Sequence, residues 1–176
     1  RIEVCRKPQQ QDQHYLQYRQ THHTTILTRT NPPPPVLLSA CRSQLGIDPI
    51  LYIPMSIFDR SRLIRWRMGW LPARPAGCTR CHAPHASRSH LLQCLSVSAR
   101  LNLPPTIEPN PLDYFLNTYL PTKKPSTSPA ERTHPLTAQH QHLTTYWPIL
   151  CQIMLEIDQI CHPDAEFTGA ALITSG

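Results

Sequence analysis

Several features that most globular domains contain are scarce in this 176-residue chain, and each absence excludes something. Only five glycines accompany twenty prolines, which argues against a large sheet and favours short elements joined by extended connectors. No run approaches about eighteen consecutive apolar residues, so we expect no membrane-spanning helix. No combination of a nucleophile, a base and an orienting group can be named, so we expect no catalytic site.

A second deficit lies in the middle of the chain. From Pro72 to His90 there is no Leu, Ile, Val, Phe, Met or Trp. Ordering a backbone costs about 1–2 kcal/mol per residue, and this segment has no large apolar side chain whose burial could offset that cost. A structural zinc ion supplies roughly 10–16 kcal/mol, so a bound metal could order the segment where packing cannot.

The same segment contains the residues that would bind such an ion. Four residues follow the spacing C-x2-C-x8-H-x3-C, which is typical of a tetrahedral zinc site: Cys78, Cys81, His90 and Cys94. The short cysteine spacing allows one turn to direct both sulfurs at one ion, and residues 90 and 94 share a face if they lie on a helix. Because no coordination position is left open and no carboxylate lies nearby, we predict structural rather than catalytic Zn²⁺.

Two other histidines could replace His90 as the third ligand. His82 directly follows a ligand cysteine, which is an awkward geometry for sharing one ion, and His85 lies beside a proline in the loop. His90 is preferred, but these alternatives stay open, as does a metal-free loop. Cys151 and Cys161 have no ligand spacing with their neighbours and are interpreted as ordinary thiols. The odd total of seven cysteines favours a reducing compartment, nucleus or cytoplasm, over disulfide formation.

The charge distribution is as uneven as the apolar content. The formal net charge is +6, and residues 60–107 contain eight arginines but no Asp or Glu. A segment of one sign attracts a polyanion, of which nucleic acid is the commonest. A solvated basic surface without a dedicated partner is the alternative. We predict that seven arginines contact RNA or DNA phosphates: Arg60, Arg62, Arg65, Arg67, Arg74, Arg80 and Arg88.

Proline-rich stretches and helix signals divide the chain into five parts. The predicted fold class is mainly α: a small helical domain with a zinc-stabilised loop, flanked by disordered or extended Pro-rich segments. The parts are a disordered or extended lead-in at 1–35, a helical zinc-binding module at 36–120, a linker at 121–136, a C-terminal helix at 137–162 and a loose tail at 163–176.

The helix starts are marked by capping residues. Ser56, followed three residues later by an acid, resembles a capping box; the helix it begins is predicted to run to about Gly69. Apolar residues lie on two nearly opposite sides of that helix, so we expect two packing partners and exposed basic edges. Ser87 or Ser89 is expected to cap the helix that carries the last two ligands.

The last helix is predicted from Trp147 to Cys161. Pro148 suits a first helical position, and the following apolar residues have helical spacing. This apolar face is expected to dock on the preceding module or on a partner: Ile149, Leu150, Ile153, Met154, Ile157 and Ile160.

The order of several short stretches is similar to a known family. GIDPIL at 46–51, RSR at 60–62 and IRWRMGWLP at 64–72 precede the cysteine pair, and SRSH at 87–90 and DYFLN at 113–117 follow it. Together they resemble the region downstream of the polymerase in LINE-type (non-LTR) retrotransposon reverse transcriptases, particularly fungal ones. Residues 147–149 and 156–158 are similar to the closing helix of that region. The resemblance covers roughly residues 40–162.

This resemblance implies a zinc site that helps to grip RNA or target DNA, with the 60–67 helix as an edge that contacts nucleic acid. It also implies that the chain is a piece of a longer polyprotein whose remainder is a partner. The adjacent aspartates of a polymerase are missing, so this piece is not expected to polymerise. Three residues separate His90 from Cys94, where many LINE elements have four. A protein-interaction adaptor and a non-functional relic of a retroelement are the alternatives.

Overall fold

The computed structural model describes residues 8–32, 37, 40–42, 45–72, 77–104, 110–121 and 138–163. Within these ranges the chain forms six α-helices and one 3₁₀ helix (Pro49–Leu51), and it contains no strand. The α-helices are α1 (Pro8–Thr28), α2 (Ile57–Arg67), α3 (Arg88–Cys94), α4 (Val97–Arg100), α5 (Pro111–Thr118) and α6 (Ala138–Cys161). The predicted mainly α fold class is confirmed. None of these helices combines the length and apolar character that crossing a membrane requires.

Residues 1–47 and 48–176 form two separate compact units, and the first unit contains α1. Most of α1 is exposed, including Tyr15, Leu16 and Tyr18. The sequence predicts a disordered or extended lead-in over 1–35, whereas the structure has a helix over 8–28. Gln, Arg and Leu are good helix formers and proline is favoured at a helix start. A search for an apolar face does not detect this helix because it has none.

The second unit is organised around the packing of α2 against α6. Trp66 and Leu63 are the large buried apolar side chains of α2, and Leu112, Phe115 and Leu116 are those of α5. The predicted apolar face of the last helix is confirmed as part of this core. Its buried members are Leu150, Ile153, Met154, Ile157 and Ile160.

The helix α6 lies within the C-terminal segment predicted at 137–162, but it does not start at Trp147 as the local signals predict. The helix begins at Ala138, nine residues before Trp147, so Pro148 lies inside the helix rather than at its first position. An interior proline removes one backbone hydrogen bond and commonly ends a helix. Here the preceding turns are anchored by aromatic contacts, because the His142 ring stacks on Tyr119 with centroids 4.1 Å apart and lies 4.4 Å from the Tyr146 ring. Packing against the neighbouring chain segment therefore overrides the local signal.

The predicted start of α2 is confirmed in detail. The Ser56 side chain accepts a hydrogen bond from the Asp59 backbone N–H at 3.0 Å and donates to its carboxylate at 2.6 Å. At the other end, Gly69 adopts a φ of 71°, the left-handed conformation that glycine adopts without strain. The Gly69 N–H donates to Trp66 and the Trp70 N–H donates to Arg65, which completes a Schellman motif. The helix therefore ends at Arg67.

The expectation that α2 packs on two opposite sides is wrong. Leu63 and Trp66 are buried, but Ile57 is 76% exposed and Met68 is 51% exposed. On that opposite side only Ile64 is partly buried against the core, so the helix buries mainly the side of Leu63 and Trp66. The predicted linker at 121–136 and tail at 163–176 lie outside the described residues, except for the first residue of each.

Candidate metal centre

The first two candidate ligands lie in a tight backbone turn. The Cys78 N–H donates to the Ala83 carbonyl and the His82 N–H donates to the Cys78 carbonyl, each at 2.8 Å. His82 adopts a φ of 60°, which reverses the chain direction after Cys81. These two bonds close a compact loop around the cysteine pair, so both sulfurs face the same side. We call this loop, residues 78–83, the cysteine turn.

The other two candidate ligands lie on α3. Ser87 caps this helix by accepting a hydrogen bond from the His90 N–H at 3.2 Å, which decides between the two predicted capping serines. His90 and Cys94 are four residues apart on the helix and project from the same face. Leu92 is buried on the opposite side of α3, and Leu91 is buried between that side and the ligands. The helix therefore presents one face to the core and the other to the cysteine turn.

The four candidate ligands meet in one place, as their spacing predicts. The ligand atoms of Cys78, Cys81, His90 and Cys94 all lie within 4.8 Å of one another. The Sγ atoms of Cys78 and Cys94 are 3.9 Å apart, and Sγ of Cys81 is 3.3 Å from Nε2 of His90. Zn–S bonds of about 2.3 Å in a tetrahedron place sulfurs about 3.8 Å apart. The cluster therefore has the dimensions of a closed tetrahedral site.

Burial differs among the ligands. Cys78 is 2% exposed, Cys81 is exposed, and His90 and Cys94 are intermediate. Burial raises the pKa of the Cys94 thiol to about 11, and the adjacent cysteines add to the shift. Burial opposes ionisation of Cys78 too, but hydrogen bonds from the Cys81 backbone, the His90 side chain and the Arg80 backbone lower its pKa to about 6. The surroundings therefore favour the thiolate of Cys78 and oppose that of Cys94, and a bound cation would favour deprotonated cysteine ligands.

The two alternative histidines lie outside this cluster. His82 and His85 are both exposed, and neither belongs to the group whose ligand atoms meet. Of the remaining cysteines that the structure describes, Cys41 is exposed, while Cys151 and Cys161 are partly buried and unpaired with any other sulfur. Burial raises the pKa of Cys151 to about 12 and that of Cys161 to about 11. Such thiols are poor nucleophiles near neutral pH.

Two arginines of α2 that were predicted to contact nucleic acid bind a carboxylate of α6. Nη1 and Nη2 of Arg65 donate to the two carboxylate oxygens of Asp158 at 2.9 and 2.7 Å, and Nε of Arg62 donates to the same group at 3.2 Å. Arg62 is buried and also pairs with Asp59 at 3.2 Å. Burial opposes ionisation of Asp158, but Arg65, His162 and Arg62 together lower its pKa below the usual value.

Asp113 of α5 holds a second group of arginines. It accepts hydrogen bonds from Nε1 of Trp66 at 3.2 Å, Nη1 of Arg67 at 2.9 Å and Nη2 of Arg88 at 3.1 Å. Arg67 also donates to Asn117 at 2.7 Å. Because Asp113 is 3% exposed, these bonds join α2, α3 and α5 in the interior of the unit.

The other described arginines of the predicted set, Arg60 and Arg80, also form hydrogen bonds or ion pairs within the unit. Arg60 donates to the carbonyls of Leu51 and Ile53 beside the 3₁₀ helix. Arg80 lies between the cysteines of the turn, and its side chain is 53% exposed while pairing with Glu156 of α6 at 3.5 Å. Glu156 also accepts two bonds from Arg100, at 2.7 and 2.9 Å. Arg74 lies outside the described residues.

The predicted exposed basic edge of α2 is therefore wrong. The described part of residues 48–163 contains seven arginines and five carboxylates, and all five carboxylates form ion pairs with these arginines. Sequence analysis missed the partners of this network, Asp113, Glu156 and Asp158. Their signal was the acidic residues within apolar stretches of two helices, one on α5 and two on α6, because a buried charge needs a partner. Comparison with protein-family models, with curated proteins and with solved structures finds no match to the chain.

Proposed function

We propose that this chain is a non-catalytic helical module that is stabilised by one structural Zn²⁺. The observation that carries the proposal is the convergence of three cysteine sulfurs and one imidazole nitrogen within 4.8 Å. Thiolate and imidazole ligands suit Zn²⁺, and four of them in a tetrahedron complete its usual coordination. A sphere filled by protein atoms has no position for a reacting water, which supports a structural role. The ligands are Cys78, Cys81, His90 and Cys94.

Metal content tests this proposal directly. The chain, purified without added metal or chelator, should contain about one equivalent of zinc by elemental analysis. Replacing a ligand in Cys94→Ser should abolish stoichiometric binding and change the Co²⁺ absorption spectrum. Cys151→Ser is the matched control, because it removes a partly buried thiol on α6 and should retain full metal content. A folded wild-type chain that contains no metal and takes up none would refute the proposal.

The proposed partner of the module is nucleic acid. The formal net charge of +6 and the resemblance to retroelement reverse transcriptases support it. The ion pairs reduce the set of arginines that could contact phosphates, because only Arg80 is exposed among the six of the predicted set that the structure describes. If one or two phosphates are neutralised, the logarithm of affinity should fall with the logarithm of salt concentration with a slope of roughly −1 to −2.

Fluorescence anisotropy with single-stranded RNA and duplex DNA over a range of salt concentrations tests this proposal. Arg80→Gln should weaken binding, while Arg19→Gln, which removes an exposed positive charge from α1, should not. Reversing the charges of Arg62, Arg65 and Arg67 is a poor test because these residues hold the fold together. Salt-independent binding, or equal effects of the two single variants, would contradict a site at the cysteine turn.

A protein-interaction adaptor is the second candidate, and one observation favours it. Leu51, Ile57 and Phe58 are 51%, 76% and 48% exposed around the start of α2. The apolar face at 149–160, which sequence analysis offered as a docking surface, is instead largely buried within the unit. A double substitution to serine at Ile57 and Phe58 should abolish partner capture under the adaptor hypothesis. Under the nucleic-acid hypothesis, the same substitution should leave RNA and DNA affinity unchanged.

A further inference from the structure

The proposed metal centre is assembled from two independent pieces of backbone, and their relative placement decides whether four ligands converge. Two ligands come from the cysteine turn and two from α3, which has only seven residues. A helix of two turns has little stability of its own. Tertiary contacts must therefore fix its position and its rotation about its axis. A rotation of α3 would move both of its ligand atoms away from the cysteine turn.

Arg88, the first residue of α3, makes three contacts that could fix this rotation. Its Nη1 donates to the Trp66 carbonyl at 2.6 Å, and its Nη2 donates to the Asp113 carboxylate at 3.1 Å. Its guanidinium carbon lies 3.6 Å from the centroid of the Trp66 ring. A planar guanidinium that stacks on a ring and donates in two directions has few orientations left.

The groups that hold Arg88 are themselves immobilised. Trp66 is fully buried on α2, and Asp113 is 3% exposed on α5. Nε1 of Trp66 donates to the same carboxylate at 3.2 Å, and Arg67 donates to it at 2.9 Å. The guanidinium is thereby attached to a frame made by two other helices.

Helical periodicity relates this frame to the ligands. On α3, Arg88 and Leu92 lie on the side opposite His90 and Cys94, and the buried Leu91 lies between these two sides. Burial of the two leucines holds the helix against the core but is not directional. The hydrogen bonds of Arg88 are directional, so they select one rotation among those that leucine packing allows.

We infer that Arg88 is a positioning residue for the metal centre, and this inference rests on the proposed zinc function. By joining α3 to Trp66 and Asp113, it sets the rotation at which His90 and Cys94 present their ligand atoms to the cysteine turn. The arginine that the sequence offered as a phosphate contact thus supports the metal ligands from inside the fold.

Co²⁺ titration of the full chain, followed by competition with Zn²⁺, tests this role. Arg88→Met keeps an unbranched apolar stem but removes the guanidinium. It should weaken metal affinity by about 10-fold to 100-fold, the usual effect of losing a group that orients a ligand. It should also alter the visible bands of tetrahedral Co²⁺. Arg88→Lys keeps the charge without the planar fork and should recover only part of the affinity.

Arg65→Met is the matched control. Arg65 also donates two hydrogen bonds to a carboxylate, and its side chain is 30% exposed, compared with 21% for Arg88. Its removal should lower resistance to urea while leaving the Co²⁺ spectrum and affinity unchanged. If Arg88→Met behaves as this control does, Arg88 is only a general stabiliser and the inference is overturned.

The two proposals fail in distinguishable ways. A wild-type chain that binds neither Co²⁺ nor Zn²⁺ would refute the metal function. A wild-type chain that binds metal, combined with an Arg88→Met chain that binds it equally well, would refute the positioning role alone. If Arg88→Met does not fold even with saturating metal, Arg88→Lys decides the question, because wild-type affinity in that variant would overturn the inference.

Discussion

The cysteine turn and the α2–α6 pair lie in the same unit but depend on different interactions. Within residues 77–87, Cys78 and Ala86 are the buried members, so this segment has almost no core of its own. The α2–α6 pair buries several large apolar side chains and adds the ion pair between Arg65 and Asp158. Under the proposed function, metal coordination would order the cysteine turn, whereas apolar packing orders the α2–α6 pair. Each region should fail under a different perturbation.

Chelation should separate the two regions most strongly. With a strong chelator in excess, residues 77–87 should lose their amide protection because the proposed metal would be their main source of order. The α2–α6 pair should keep much of its protection because its apolar contacts do not depend on metal. Hydrogen exchange with peptide-level resolution measures both regions at once, and Zn²⁺ should restore the lost protection. Equal loss in both regions would show that they form one cooperative structure.

Removing Asp158 should damage the α2–α6 pair instead. The side chains of Asp158 and Arg62 are 5% and 8% exposed, so Asp158→Ala removes one of the two carboxylates that pair with a buried guanidinium and also removes the partner of Arg65. The expected loss in the free energy of unfolding is about 3–5 kcal/mol by urea titration. Asp59→Ala is the control because the side chain of Asp59 is 25% exposed, and it should cost about 1 kcal/mol or less. Similar losses of unfolding free energy in Asp158→Ala and Asp59→Ala would show that the buried ion pair contributes no more than the partly exposed one.

The same carboxylate should give the α2–α6 pair a specific acid sensitivity. Burial opposes ionisation of Asp158, but its arginine partners keep its pKa in the folded protein below the usual value. A depressed carboxyl pKa stabilises the folded state above the unfolded-state pKa of about 3.9, and this contribution is lost as the pH falls through the folded-state pKa. The difference in unfolding free energy between wild type and Asp158→Asn should therefore be largest near about pH 7 and shrink below about pH 4.

Because acid also releases metal from thiolate ligands, the comparison needs both proteins at the same metal loading. If the unfolding free energy falls equally with pH in wild type and in Asp158→Asn, the acid sensitivity belongs to groups other than Asp158. If the difference in unfolding free energy between the two proteins is the same at low pH as at about pH 7, titration of Asp158 is again not its cause.

The smallest expected effect concerns the end of α2, on the path from α2 to the cysteine turn. Gly69 has a φ of 71°, so Gly69→Ala should cost about 1 kcal/mol of unfolding free energy through left-handed strain. Gly46→Ala is the control because a Cβ there meets no atom within 4 Å. Urea titration of both variants measures the difference. Equal stabilities would show that the end of α2 tolerates another backbone conformation.

The local features of the fold were predictable from the sequence. The Ser56 cap depends on residues three apart, and the pairing of His90 with Cys94 depends on residues four apart, so helical geometry alone places them. The apolar face of α6 follows from the same periodicity. The deficit of apolar residues before α3 also pointed to the cysteine turn as the segment that needs a metal.

Features that depend on contacts between distant residues, or that have no periodic pattern, could not be predicted from the sequence. The early start of α6 depends on the stacking of His142 against Tyr119, a contact between segments that are distant in sequence. The helix α1 has no periodic apolar signal to detect. The contacts of the arginines depend on acidic residues located elsewhere in the chain. These residues offset most of the positive charge of the basic segment in the folded unit.

The sequence by itself determined which four side chains could share a metal ion, because ligand spacing within a turn and a helix is a short-range property. Only the tertiary structure decided what the arginines do. Arg62 meets Asp158 across 96 positions of sequence, and Arg88 meets Asp113 across 25. Coulomb attraction depends on distance in space, and burial strengthens it by excluding water. Folding therefore places the described arginines of this basic segment in contacts within the unit, and Arg80 stays exposed.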